Sequence, residues 1–120
     1  MQIPKTKRVI DKKYVKWIKS QPCVISHQDA TIHHLINYGT SGGAMKSDDY
    51  LSFSLSNYHH TGDGGIHRGV VSWEQKWQKQ PYYIMATLDK AVDCGIIDLK
   101  THYKYYSICE ELIKMYEDRK

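Results

Sequence analysis

Two pairs of adjacent histidines constrain this chain more than any other feature. His33-His34 lies in ATIHHL and His59-His60 in NYHHTGDGGIHRG, about 26 residues apart, with His67 just past a run of glycines. Five of the seven histidines fall within these 35 residues. Residues 31–36, TIHHLI, and 50–55, YLSFSL, are β-prone and read as two strands. Between them the stretch 37–46, NYGTSGGAMK, is a glycine-rich loop. A hairpin of this kind would carry both histidine pairs to one place. Ser56 or Asn57 can cap a short helix bearing His59 and His60. Gly62, Gly64 and Gly65 then end it and turn the chain so that His67 reaches the same place.

Imidazole is the commonest neutral ligand for zinc-like metals. Three protein ligands with an open position make a catalytic site, whereas four Cys or His ligands close a structural one. Cys23, Cys94 and Cys109 form no C-x-x-C pair, so the pattern favours a metal with open positions. On a regular strand His33 and His34 face opposite sides and cannot both bind one ion. They can divide the work, one facing the metal and the other facing substrate and water. TGDGG itself offers too few oxygen ligands for an EF-hand and lacks the Lys-Ser/Thr pair of a P-loop.

The rest of the chain reads as helices. Ile10, Tyr14, Trp17 and Ile18 share one face of a helix over 11–21, with Pro22 at its end. Residues 72–80 form a second, with Ser72 as cap and Trp73 and Trp77 one turn apart. A third runs over 81–94 and is closed by Gly95. From Thr101 to Tyr116 an apolar stripe of Tyr105, Ile108, Cys109, Leu112, Ile113 and Tyr116 marks the cleanest amphipathic helix, expected to pack down rather than form a dimer seam. The expected class is α+β, in a single domain over 1–120. Its parts are a basic arm at 1–10, a histidine-bearing core at 23–69 and helical support at 72–117.

Charge points to a polyanionic partner. Residues 1–20 carry seven Lys and Arg against Asp11 alone, a net +6; because the whole chain is +4, residues 21–120 sum to −2. A basic arm on a near-neutral body suits nucleic acid. Three scattered cysteines make a disulfide framework unexpected and fit a reducing compartment. MQIPKTKR has no apolar segment behind it, so neither a signal peptide nor a membrane span is expected, and the expected location is the cytoplasm.

The order of these pieces resembles the small phage-type HNH nucleases related to the recombination enhancement nuclease Ref. The resemblance rests on KKYVKWIKSQPC at 12–23, HHL at 33–35, GTSGGAMKSDD at 39–49, SLSNYHH at 54–60, IHRG at 66–69 and WEQKW at 73–77, and covers about residues 8–95. It implies the ββα-metal fold, a hairpin and a helix clamping one divalent ion: magnesium, manganese, zinc or nickel. On that pattern His33 and His60 are metal ligands, and His67 is a third or binds the scissile phosphate. His34 is the general base, and Asp49 holds the loop that carries it. Lys12, Lys13, Lys16, Lys46 and Arg68 are the expected DNA contacts. Many relatives hold a second, structural zinc. Here Cys23 and His59 remain, but Ser26 and Ser56 stand where cysteines would be, so no structural zinc is expected. The implied activity is metal-dependent cutting or nicking of DNA, with a recombinase as a further partner and a bacterial host's cytoplasm as the setting. The alternative is a non-catalytic DNA-binding or recombination accessory protein on the same fold.

Overall fold

The computed structural model describes residues 8–39 and 47–117. Helix α1 spans Lys12–Lys19, shorter at both ends than its apolar periodicity suggests. Asp11 caps it, its carboxylate accepting the Tyr14 N–H at 3.0 Å. Tyr14 and Ile18 are buried, while Lys12, Lys13, Lys16 and Lys19 face outward.

Strand β1, Thr31–His34, pairs antiparallel with β2, Ser52–Leu55, and His33 stands opposite Phe53. Both strands are shorter than expected. Leu35 leaves the ladder but stays fully buried, its N–H donating to the Leu51 carbonyl at 2.9 Å. All of β2 is buried because the hairpin is covered on both faces. Ile32 and His34 look toward α1. His33 and Phe53 look the other way, toward α4, Gln80–Asp93, where Phe53 packs on Tyr83.

After β2 come a one-turn helix α2, Asn57–His60, a 3-10 turn at Ile66–Arg68, and α3, Val70–Lys76. Helix α3 starts and ends earlier than the sequence suggests. Gly69 takes the cap position and Ser72 lies inside the helix. The break falls before Gln80 because Pro81 is tolerated only in a first turn, where it sits in α4. Gly95, with φ of 72°, closes α4: its N–H donates to Val92 O and that of Ile96 to Ala91 O. Helix α5, Leu99–Met115, then lies against α4, burying Tyr105, Cys109 and Leu112.

Arg8 to Asp11 do not form a free arm. Val9 N–H donates to Asp48 Oδ1 (2.9 Å), Asp49 N–H to Val9 O (3.0 Å) and Asp11 N–H to Asp49 Oδ2 (2.8 Å). Asp48 in turn accepts the Tyr105 hydroxyl at 2.9 Å, tying this edge to α5. The architecture is α+β: a two-stranded antiparallel hairpin and five α-helices among the described residues. None of these helices is long and apolar enough to cross a membrane.

Candidate metal centre

β1, α2 and the 3-10 turn each deliver one imidazole to a common point. The ligand nitrogens of His33, His60 and His67 lie within 4.8 Å of one another, and among the described residues no other three His, Cys, Asp or Glu side chains converge in this way. The ring centroids are 4.8 to 5.3 Å apart. His33 is buried, His60 half-buried and His67 exposed, so the cluster opens to solvent on one side.

The donor set fits a metal ion on a specific observation. Gln80 is fully buried, and its amide orientation is fixed by the Ile36 backbone: the Ile36 N–H donates to Oε1 (3.1 Å) and Nε2 donates to Ile36 O (3.0 Å). Oε1 is therefore an acceptor, and the His33 Nε2 atom 3.0 Å away must be the one carrying hydrogen. Nδ1 of His33 then holds the lone pair. It is buried and has no hydrogen-bond partner among the described residues. A buried imidazole with one nitrogen fixed by an acceptor and the other unsatisfied has the form of a metal ligand held from behind. Gln80 Nε2 and backbone N–H also donate to Glu74 Oε2, which takes the Tyr38 hydroxyl as well. Burial, partly opposed by the Gln80 hydrogen bond and aided by His60 and His67, pushes His33 down to about 3. Burial and the neighbouring His67 and His34 lower His60 too. Both shifts favour the neutral, ligand form.

The glycines around this point serve close approach rather than unusual backbone angles, since Gly62, Gly64 and Gly65 all lack a positive φ. A Cβ on Gly65 would lie 2.6 Å from the His60 carbonyl oxygen, and one on Gly62 would lie 2.8 Å from the Tyr58 Cα. The loop folds directly onto α2, and fully buried Ile66 pins the 3-10 turn that aims His67.

His34 lies on the opposite face of β1. Its Nε2 is 2.9 Å from Asp49 Oδ1, within a side chain that is only 8% exposed. Arg8 Nη2 pairs with the same carboxylate oxygen and lies 3.4 Å from His34 Nε2. The carboxylate can only accept, so Nε2 of His34 carries hydrogen and donates to Asp49. Asp49 thus contacts the imidazole directly as well as tying down its own loop. This dyad opens into a cavity of about 320 Å³ lined by Arg8, Lys12, Lys16, Lys19 and Ile32.

The expected residues therefore separate into groups. His33, His60 and His67 meet; His34 and Asp49 meet; Lys12 and Lys16 flank the His34 cavity. Lys13 is exposed on α1 but does not line that cavity, and Arg68 lines a different groove beside α2. Lys46 lies outside the described residues. Cys23 is buried, and its sulfur accepts the N–H groups of Ile25 and Ser26 at 3.4 Å. Burial alone would raise this thiol, but hydrogen bonds from Ser26, Ser56 and Ile25 bring it down to about 7. Cys23, Ser26 and Ser56 do converge. His59 packs edge-on against Tyr58 and Trp77, and its Nδ1 is buried without a partner among the described residues. Arg8, Lys19 and Gln80 were not singled out by sequence reasoning. Arg8 was one basic residue among several near the N-terminus, and Gln80 read as the last residue of the helix over 72–80.

Residues 1–95 match the family described as "Protein of unknown function (DUF968)". The chain belongs to this family. The chain is also similar to the "Uncharacterized protein YdfU" of Escherichia coli (strain K12), 33% identical over 98 residues. The alignment covers 81% of this chain but only 27% of the relative. No solved structure gives a significant match. All five histidine and aspartate positions of the two clusters, and Gln80, fall inside the DUF968 match.

Proposed function

We propose that this DUF968 chain is a metal-dependent DNA endonuclease or nickase built on a ββα-metal (HNH) core formed by β1, β2 and α2. One observation carries the reading: His33 of the three-imidazole cluster and the Asp-backed His34 are adjacent residues at the end of β1, close enough that His34 also acts electrostatically on His60. His33, His60 and His67 would hold the ion. An all-imidazole set suits zinc or nickel better than magnesium, which prefers oxygen ligands. Such an ion supplies charge neutralisation at the phosphate and at the leaving oxygen.

The chain's own residues do the remainder. His34 would take the proton of the attacking water, with Asp49 holding the ring and stabilising the imidazolium that results. Arg8, Lys12, Lys16 and Lys19 set four cations against the single carboxylate of Asp49, a lining suited to a phosphodiester backbone. The recombinase partner suggested by the Ref resemblance belongs to this reading too. The test is conversion of supercoiled plasmid to open circles with Zn²⁺, Ni²⁺, Mn²⁺ or Mg²⁺, and its loss in EDTA. Equal nicking with and without chelator contradicts the reading.

A further inference from the structure

We infer that the groove between α2 and α3 binds an unpaired nucleobase, so that the preferred substrate has single-stranded character beside the cut; the inference rests on the nuclease reading for the DNA, but on separate residues for the base. The groove has a volume of about 210 Å³ and is lined by Tyr58, His59, Arg68, Lys76 and Trp77 over a floor of Gly64 and Gly65.

Large aromatic side chains are normally buried or half-buried, yet Tyr58 is 58% and Trp77 40% exposed, and both flank this groove. They are also held in place. The Tyr58 ring rests on Gly64 so closely that a Cβ there would be 2.3 Å from a ring carbon. His59 touches both rings edge-on, with centroids 5.0 and 5.3 Å away. Pre-set aromatic faces cost little entropy when a flat ligand stacks on them.

The rim is cationic. Arg68 Nε donates to the Gly62 carbonyl at 2.9 Å, which fixes the guanidinium at the edge with 63% of the side chain exposed. Lys76 Nζ lies 5.3 Å from the Trp77 ring centre. Asp63, 95% exposed and 3.9 Å from Arg68, opposes them only weakly through solvent. Aromatic faces beside cations match a base joined to a phosphate. A duplex shows proteins only base edges and phosphates, so a stacking face requires a base already out of the helix.

Position links this groove to the metal centre. His59 lines the groove and its neighbour His60 belongs to the cluster; Arg68 lines the groove and its neighbour His67 belongs to the cluster. A strand with a phosphate at the cluster would bring an adjoining nucleotide within reach of Tyr58 and Trp77.

The test is binding of an oligo(dT) strand and of a dA·dT duplex of equal length, in EDTA so that nothing is cut. Oligo(dT) should quench tryptophan emission, and the quench should be lost in Trp77→Ala, because Trp73 is buried and Trp17 only partly exposed. Trp77→Ala and, separately, Tyr58→Ala should weaken single-strand binding roughly ten- to hundredfold, as expected for losing one base stack, and leave duplex binding within about twofold. Tyr58→Phe, which keeps the ring, should restore single-strand affinity even if Trp77→Ala misfolds. Equal losses on both DNA forms, or no loss on either, overturn the inference. Plasmid nicking reports separately on the nuclease reading: a protein that cuts but shows no single-strand preference refutes only the groove, whereas single-strand preference without cutting supports the groove and refutes the nuclease.

Discussion

His33 Nε2 and Gln80 Oε1 are 3.0 Å apart, across 47 residues of sequence, and this contact determines which nitrogen of His33 keeps its lone pair. Replacing Gln80 with Leu removes the acceptor, leaves the Ile36 N–H and carbonyl without the bonds Gln80 gives them, and takes one of several hydrogen bonds from Glu74. Gln80→Leu should lower Zn²⁺ or Ni²⁺ affinity roughly 10- to 100-fold in a calorimetric titration. It should also cost about 1–3 kcal/mol of stability for the buried groups left unpaired. Gln80→Glu keeps an acceptor for His33 but loses the donor bonds. It should therefore hold metal better than Gln80→Leu while remaining destabilised. Equal metal affinity in all three proteins would show that Gln80 does not set the tautomer.

Asp49 acts on the other histidine. Asp49→Asn keeps the shape but removes the charge that faces His34 and Arg8. Plasmid nicking should fall about 10- to 100-fold, the usual loss for an orienting partner, with Zn²⁺ affinity nearly unchanged. A parallel loss of metal binding would mean that Asp49 supports the scaffold rather than the base.

Gly65 and Gly64 should differ sharply. A Cβ on Gly65 meets the backbone carbonyl of His60 at 2.6 Å, so Gly65→Ala must displace α2 and with it His60. At Gly64 the nearest atoms are those of the Tyr58 ring, a side chain rather than backbone, so the substitution would push that ring out of its place in the groove and leave α2 where it is. Gly65→Ala should weaken metal binding at least tenfold; Gly64→Ala should leave metal binding near the parent value and weaken oligo(dT) binding instead.

Asp11 gives a pH-dependent effect away from the cluster. Burial opposes ionisation of its carboxyl, but bonds from the Tyr50 hydroxyl and the Tyr14 and Lys13 N–H groups lower its pKa below the usual 3.8. The unfolded chain binds the proton more readily. The stabilisation is therefore present above about pH 3.8 and is lost as pH falls through the lower folded value. Asp11→Ala should cost about 1 kcal/mol near neutral pH for the lost helix cap. The gap should narrow in thermal melts below about pH 4. A gap that stays constant to pH 2 would show that the charge of Asp11 contributes nothing.

The histidine centre was legible because its signals are local. Strand alternation separates His33 from His34, a one-turn helix carries His60, and a glycine loop returns His67. What stayed hidden arises from packing between distant segments. Arg8 meets Asp49 across 41 residues and Gln80 meets His33 across 47, and no sequence period encodes either contact. The glycines were read for conformational freedom, but their backbones show that space is what they provide. Ser72 looked like a helix cap because its type fits one; Gly69 holds that place because the tight 3-10 turn runs straight into α3.

The most direct test of the account is His34→Ala assayed for plasmid nicking and for bound zinc in the same preparation. His34 pairs with Asp49 beside the basic cavity, whereas the proposed ion would be held by His33, His60 and His67. The account predicts that cutting falls by roughly 100-fold or more, as for loss of a general base, while zinc stoichiometry and duplex affinity stay at the parent level. His34→Ala that cuts like the parent, or that loses its zinc along with its activity, would contradict it.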